Sequence, residues 1–222
     1  MTKNLRLNDV LDTKSYPMGS IQLAKGHHPG RELGVCLMEA VAWFAGEAHS
    51  DAPQCADPAL TAFGRRLNDV LDEEHRQALK ELIPALSISL GSREIMVKRA
   101  YVAADWAVRR FASEAMIARG FPEHAAILTT LDPIIDRTSA DAAASAAASA
   151  YAAASAYAAY AAYASASAAA ASAAASASAA FRASASAAAS AASAYAGTNK
   201  QKQARLLANG LACLKAMLAV TE

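Results

Sequence analysis

The chain has little of what usually announces a function. Cysteine occurs three times, at Cys36, Cys55 and Cys213, an odd number without regular spacing, which excludes a disulfide framework and reads as a reduced, cytoplasmic protein. No apolar run follows the basic residues of Met1-Thr2-Lys3-Asn4-Leu5-Arg6, so no secretory signal is expected there. Charge of one sign is also missing. The 21 Lys and Arg stand against 20 Asp and Glu, for a net charge of +1, which gives no electrostatic reason to expect nucleic acid as a partner.

The largest absence lies between Ser139 and Ala196, where the sequence is almost entirely Ala and Ser with a few Tyr and contains no Gly and no Pro. From Ala142 to Phe181 there is no Asp, Glu, Lys or Arg. Disordered low-complexity segments need charge, Pro, Gly or Gln to stay solvated, whereas Ala is the best helix former and Ser weakens an Ala helix only modestly. The stretch therefore predicts helix. One continuous helix would be roughly 87 Å long, against a radius of gyration of about 17 Å for a compact chain of this size. With no charged face to solvate a free rod, folding back into a close-packed array is the better solution, because Ala and Ser allow close approach of helix axes. Breaks are expected at Ser165/Ser167, Ser176/Ser178 and Ser184/Ser186, where a hydroxyl can cap a new helix. The run exceeds the roughly 20 residues that cross a bilayer, but Ala and Ser lack the transfer energy of Leu or Ile and its flanks carry no aromatic and basic belt, so no membrane partner is expected.

What is present elsewhere reads as helices. Residues 1 to 28 form an arm with a turn at Pro17-Met18-Gly19, and its heptapeptide Arg6–Asp12 recurs at Arg66–Asp72 without matching neighbours. An apolar helix is predicted over Arg31 to Ala45, ended by Gly46. Asp57-Pro58 starts a helix to Leu71. Asp72 caps the next, to Ile83, and Pro84 stops or kinks it. Residues 85 to 91 alternate loosely, Ser92 caps a long helix to Arg119 closed by Gly120, short pieces follow over Pro122 to Leu131 and Pro133 to Asp136, and Lys200 to Val220 forms a last amphipathic helix. The fold class is all-α. An N-terminal helical bundle over 1–137 is followed over 138–222 by an Ala/Ser-rich close-packed helical array, with the last helix closing the Ala layer.

The segment Gly34-Val-Cys36-Leu-Met-Glu39-Ala-Val-Ala-Trp-Phe-Ala-Gly46-Glu47-Ala-His49-Ser50-Asp51-Ala-Pro53-Gln-Cys55, with Phe63-Gly-Arg-Arg-Leu-Asn68-Asp69, Ala103-Ala-Asp105-Trp106-Ala-Val-Arg109 and the Ala-rich tail to Met217-Leu-Ala-Val220, resembles an actinobacterial and phage-associated family of hypothetical helical proteins. The Ala repeats are similar to those of some bacterial immunity proteins. Neither resemblance implies an established activity. What they imply is a non-catalytic protein-interaction module, immunity or anti-defence in type.

Two groups of residues carry candidate chemistry. Glu47, His49, Asp51 and Cys55, with Asp57, form the densest set of metal-ligand types, and a metal- or ligand-dependent enzyme centred on the 47–57 loop is the alternative function. Zinc sites prefer regular Cys and His spacings, and here only one His and one Cys share the loop. The structural reading makes Asp51 and Asp57 helix N-caps, His49 a hydrogen-bonding loop residue and Cys55 a small buried side chain. Cys36, inside an apolar helix, should have a raised thiol pKa and be a poor nucleophile. The second group is Tyr157, Tyr160 and Tyr163, which spread in about 60° steps over one broad helix face and serve either as cover for the Ala layer or as a protein-binding surface. Asp105 and Arg109 stand at the i,i+4 spacing of an intrahelical pair, and Glu39 is expected to pair with an arginine of another helix. Arg93, Lys98, Arg99, Arg109, Arg110 and Arg119 share one helix with Glu94 and Glu114, without a nucleic-acid reading motif. No cofactor is called for. A protein partner is expected, and Ala faces also suit a homo-oligomer through the Ala-rich helices.

Overall fold

A computed structural model of the chain describes residues 19–118, 120–154 and 200–221. The expected breaks between Ser165 and Ser186, the Tyr157, Tyr160 and Tyr163 face and the heptapeptide at Arg6–Asp12 lie outside these residues. Among the described residues the protein is all-α: there is no strand, only one isolated parallel bridge between Leu23 and Val35.

The helices follow the local signals of the sequence. After a 3-10 turn at Arg31–Leu33, α1 spans Leu37–Phe44, α2 Pro58–Val70 and α3 Glu73–Arg76; a 3-10 stretch at Gln77–Leu82 leads into α4 at Ile83–Leu86. Next come α5 at Arg93–Asp105, seven π-helical residues at Trp106–Ala112, α6 at Ser113–Ala118, α7 at Pro122–Thr129, α8 at Arg137–Ala154 and α9 at Lys200–Leu218. Asp57 caps α2 by accepting from the Ala59 and Leu60 amides, Asp72 caps α3 by accepting from His75, and Ser92 accepts from Ile95 at the start of α5. Each satisfies a donor that the first helical turn leaves without a partner. Gly46 (φ +73°) and Gly120 (φ +87°) end helices in the left-handed conformation that favours glycine.

Helix α1 is shorter than predicted. Residues 31 to 36 were expected to be helical, but Gly34 sits at φ +127°, outside any helical geometry, and Cys36 is the N-cap. A β-carbon on Gly34 would fall 2.8 Å from Cδ2 and 2.9 Å from Nε2 of His28, so the backbone leaves the helical path at a residue with no side chain, and the His28 ring takes that space. Pro84 does not stop the chain. It sits in the first turn of α4, after helical turns tightened to 3-10 geometry.

The main core gathers Leu37, Met38 and Val41 of α1, Leu60, Phe63 and Leu67 of α2, Leu79, Ile83 and Leu86 around α4, and Phe111. Leu206, Cys213, Leu214 and Met217 of α9 belong to the same cluster, so the stripe expected to close an Ala layer is built into the N-terminal core. Gly210 makes that approach possible: a β-carbon there would lie 2.6 Å from Leu67 Cδ2. Gln203 accepts from the Asp72 amide at 3.1 Å, and Lys215 pairs with Glu81 at 2.9 Å. A second cluster joins Tyr101, Ala104, Val108, Met116, Leu128 and Ile134 to Ala140, Ala143, Ala144 and Ala147 of α8. The beginning of the Ala/Ser run is thus a helix whose methyl groups cover α5 and the π-helical turns. Small side chains let it lie close, and dispersion contacts replace Leu-sized burial. No helix among the described residues is long and apolar enough to cross a membrane.

Candidate functional site

The 47–57 loop spends its polar side chains on its own backbone and its neighbours. The Glu47 carboxylate accepts from the Gln54 and Cys55 amides, both at 2.8 Å, closing the loop on itself. His49 Nε2 donates to the His28 carbonyl at 2.8 Å. Since a carbonyl only accepts, Nε2 carries a proton, and Nδ1 is buried with no hydrogen-bond partner among the described residues. Asp51 was expected to cap a helix; instead its carboxylate lies 2.8 Å from Arg65 of α2. Burial pushes the Cys55 thiol up to about 12, with the Glu47 carboxylate adding to the shift. Among the described residues, no three His, Cys, Asp or Glu side chains form a group suited to a metal ion.

The densest titratable cluster centres on Glu39 rather than on the loop. Its side chain is fully buried, and among the described residues its charged partners are histidines, not the expected arginine. Oε1 accepts from the His28 amide at 2.7 Å and lies 3.0 Å from His27 Nδ1; Oε2 accepts from the Cys36 amide at 2.7 Å and lies 2.8 Å from His28 Nδ1. His49 Nε2 stands 3.7 Å from Oε1. A carboxylate offers about four lone-pair positions, and these contacts fill them. Burial works against the ionised form, but the amides of His28 and Cys36 and the His28 ring outweigh it, so the Glu39 pKa is lowered. Glu39 is therefore an ionised, saturated acceptor at the N-terminus of α1, where the helix dipole also favours negative charge. It ties the 27–28 turn to the helix.

The thiols beside this cluster are poor nucleophiles. An exposed imidazole, His27, against a buried carboxylate is the geometry that orients a general base. The adjacent thiol, Cys36, is pushed by burial up to about 12, and Cys55 is raised similarly, so both are held in the protonated, weakly nucleophilic form. The raised Cys36 thiol agrees with the sequence reading, although the residue caps α1 rather than lying inside it. Burial likewise raises the fully buried Cys213 thiol well above its ordinary value.

A third arrangement was not foreseen. Arg99, counted in the sequence among surface cations, is buried and donates from NH1 to Asp57 Oδ2 at 2.9 Å and to the Ser89 carbonyl at 2.5 Å, and from Nε to the Met217 carbonyl at 3.0 Å. The Asp57 amide in turn donates to Ser89 Oγ at 3.0 Å, Ser89 Oγ donates to the Leu86 carbonyl at 2.8 Å, and the Leu90 amide donates to the Cys55 carbonyl at 3.0 Å. Ser87 and Ser89 are consequently buried, whereas Ile88 and Leu90 are 58% and 55% exposed. The alternation legible in Leu86-Ser87-Ile88-Ser89-Leu90 is inverted beyond Leu86, with hydroxyls inward and aliphatic side chains outward. The inversion follows from the buried Asp57–Arg99 pair, which needs polar neighbours on its open side.

No protein-family model, curated protein or solved structure matches the chain.

Proposed function

We propose that the protein is a non-catalytic protein-binding module that presents Ile88 and Leu90 to a partner protein; the immunity or anti-defence role suggested by the sequence resemblance is the particular form of this reading. The observation that supports it is the inverted 86–90 loop. Isolated exposed aliphatic residues are ordinary, but here two of them are held out by serines whose hydroxyls are bonded inward, on a loop fixed at both flanks to buried polar groups. A fixed aliphatic pair suits an apolar pocket of a folded partner, since little side-chain or loop ordering remains to be lost on binding. The carboxylates of the 47–57 loop and the Cys36 and Cys55 thiols are, by contrast, engaged or unreactive, which favours binding over catalysis.

Covering the exposed parts of Ile88 and Leu90 contributes about 2–3 kcal/mol, or roughly fifty-fold in affinity. A photo-crosslinking amino acid placed at position 88 in the producing host should yield one defined adduct that the same probe at exposed Ile127 does not yield. The recovered protein, purified, should bind the Ile88→Ser/Leu90→Ser variant about fifty-fold more weakly than the parent. Equal binding by the two, or the same adducts from both probe positions, would remove the proposal.

A further inference from the structure

Where the Ala/Ser run begins, its small side chains leave space. Leu131, Pro133 and Ile135, from the segment that joins α7 to α8, and Ala142 and Ala143 of α8 line a cavity of about 550 Å³, a size within the range of small-molecule sites. Ala142 and Ala143 carry only methyl groups, so the space stays open. Most of the wall is apolar, and its charged members are Asp132 and Asp136; none of the described lining residues is Lys, Arg or His. The 86–90 loop contributes nothing to this lining, so the cavity is independent of the surface proposed for a protein partner.

The joining segment forms no helix or strand over residues 131–136, yet it is fixed. Ile134 is buried in the second core, and its amide donates to Asp105 at 3.0 Å. Ser139 Oγ accepts from the amides of Ile135 and Asp136, both at 3.1 Å. Asp136 Oδ1 in turn accepts from the Ser139 amide at 2.8 Å and lies 2.7 Å from Ser139 Oγ, a reciprocal cap on the first turn of α8. Held in this way, Ile135 remains 71% exposed beside the cavity. A wall that is already ordered lowers the cost of binding.

The two carboxylates are not equivalent. Asp136 is engaged in capping, and the bonds from Ser139 hold its pKa below the ordinary value, so it is ionised at neutral pH. Asp132 makes no side-chain hydrogen bond or ion pair among the described residues. Arg137, the nearest cation in sequence, lies 3.7 Å from Asp141 of its own helix and does not line the cavity. The negative charge of Asp132 is therefore left without a counter-charge at the edge of an apolar wall.

We infer that this cavity binds a small amphiphilic cation: a primary ammonium that pairs with Asp132, in the field of Asp136, and carries a hydrocarbon body lying on Leu131, Pro133, Ile135 and Ala143. An ammonium brings three donors to acceptors that have none from the protein, whereas an anion would meet like charge.

Calorimetric titration of the full chain with hexylammonium, hexanol, hexanoate and methylammonium tests this. Hexylammonium should saturate one site per chain with a Kd of about 1 mM or tighter. Hexanol, which lacks the charge, should bind at least about fivefold more weakly, and hexanoate and methylammonium at least about tenfold more weakly. Ala142 is exposed on α8, so Ala142→Leu should fill the cavity and weaken hexylammonium at least about tenfold while leaving the thermal transition unchanged. Asp132→Asn should weaken it about fivefold and remove most of its dependence on salt. Should Ala142→Leu alter the fold, Ala142→Met, unbranched and adaptable, provides the same reading. Absence of saturable hexylammonium binding, any of the other three ligands binding as tightly, or hexylammonium affinity equal in the parent and in a folded Ala142→Leu, Ala142→Met or Asp132→Asn variant would overturn the inference.

Discussion

Replacing Arg99 by Met should be among the most damaging single substitutions in the chain. Arg99 and Asp57 are 2.9 Å apart with side chains 7% and 0% exposed, so the substitution leaves a carboxylate enclosed without its cation. The Ser89 and Met217 carbonyls lose a donor at the same time. Breaking a buried pair by removing one partner costs about 3–5 kcal/mol, and methionine returns part of the lost side-chain packing without returning any donor. With a urea dependence of about 2 kcal/mol per molar for a chain of this size, a loss of about 4 kcal/mol lowers the unfolding midpoint by about 2 M. The companion variant Asp57→Asn/Arg99→Met removes both charges while keeping a side chain that caps α2, since Asn serves at N-caps as well as Asp. It should regain about 1–3 kcal/mol over Arg99→Met alone, a non-additivity expected of groups in contact. Urea unfolding of the parent, both single variants and the double variant, followed by far-UV circular dichroism, measures all four corners. If Arg99→Met shifts the midpoint by less than about 0.5 M, or the two substitutions simply add, the reasoning that makes this pair a buried joint is wrong.

Three further outcomes follow from other residues. The folded-state pKa of Glu39 lies below its ordinary value of 4.5, so its contribution to stability is complete above that value and is lost as pH falls through the folded pKa; between pH 5 and pH 3 the parent should lose more stability than Glu39→Gln, and parallel pH profiles would remove Glu39 as the cause. Gly34→Ala combines a positive φ with a contact of 2.8 Å to the His28 ring and should destabilise by more than about 2 kcal/mol, whereas Gly46→Ala, strained but open, should cost about 1 kcal/mol; thermal melts rank the two. With Cys36 and Cys55 pushed up to about 12 and Cys213 raised by complete burial, a disulfide reagent at pH 7.5 should titrate the three thiols slowly in the native protein and quickly in urea; a fast native phase would show an activated cysteine.

Much of the helical framework was legible because its signals are local. Asp57-Pro58, Asp72 and Ser92 start helices where a short polar side chain meets an orphan amide, Gly46 and Gly120 end them, and Asp105 and Arg109 form the pair their spacing predicts. The misread features all depend on partners distant in sequence. Glu39 meets histidines delivered by a turn that only Gly34 permits. Arg99 reads as one more surface cation until Asp57, Ser89 and Met217 close around it. The 86–90 segment gives the same alternating pattern with either face inward, and the choice is made by a charge pair whose members stand 10 and 32 residues from Ser89. The candidate site was accordingly the least legible part: the sequence drew attention to Glu47, His49, Asp51 and Cys55 because those residue types bind metals, and the structure gives Glu47, His49 and Asp51 partners within the fold.

Buried carboxylates act as the joints of this molecule. Glu39 binds the 27–28 turn to α1, and Asp57, through Arg99, binds the start of α2 to the 86–90 loop and to the end of α9. Glu114 accepts from Asn209 at 2.9 Å and so binds α6 to the middle of α9. Apolar contacts would hold these elements together with comparable or greater stability, since a buried pair gains little net energy over well-packed hydrophobic side chains. What a carboxylate adds is direction, because its few lone pairs accept from particular donors and an element that slides leaves a buried charge unpaired. Two of the three joints fix α9, which also packs Leu206, Leu214 and Met217 into the core and approaches α2 closely at Gly210. The third fixes a turn around a glycine. Buried charge therefore adds direction to elements that apolar packing already holds, and the 86–90 loop, with Ile88 and Leu90 turned outward, inherits its orientation from one of those joints.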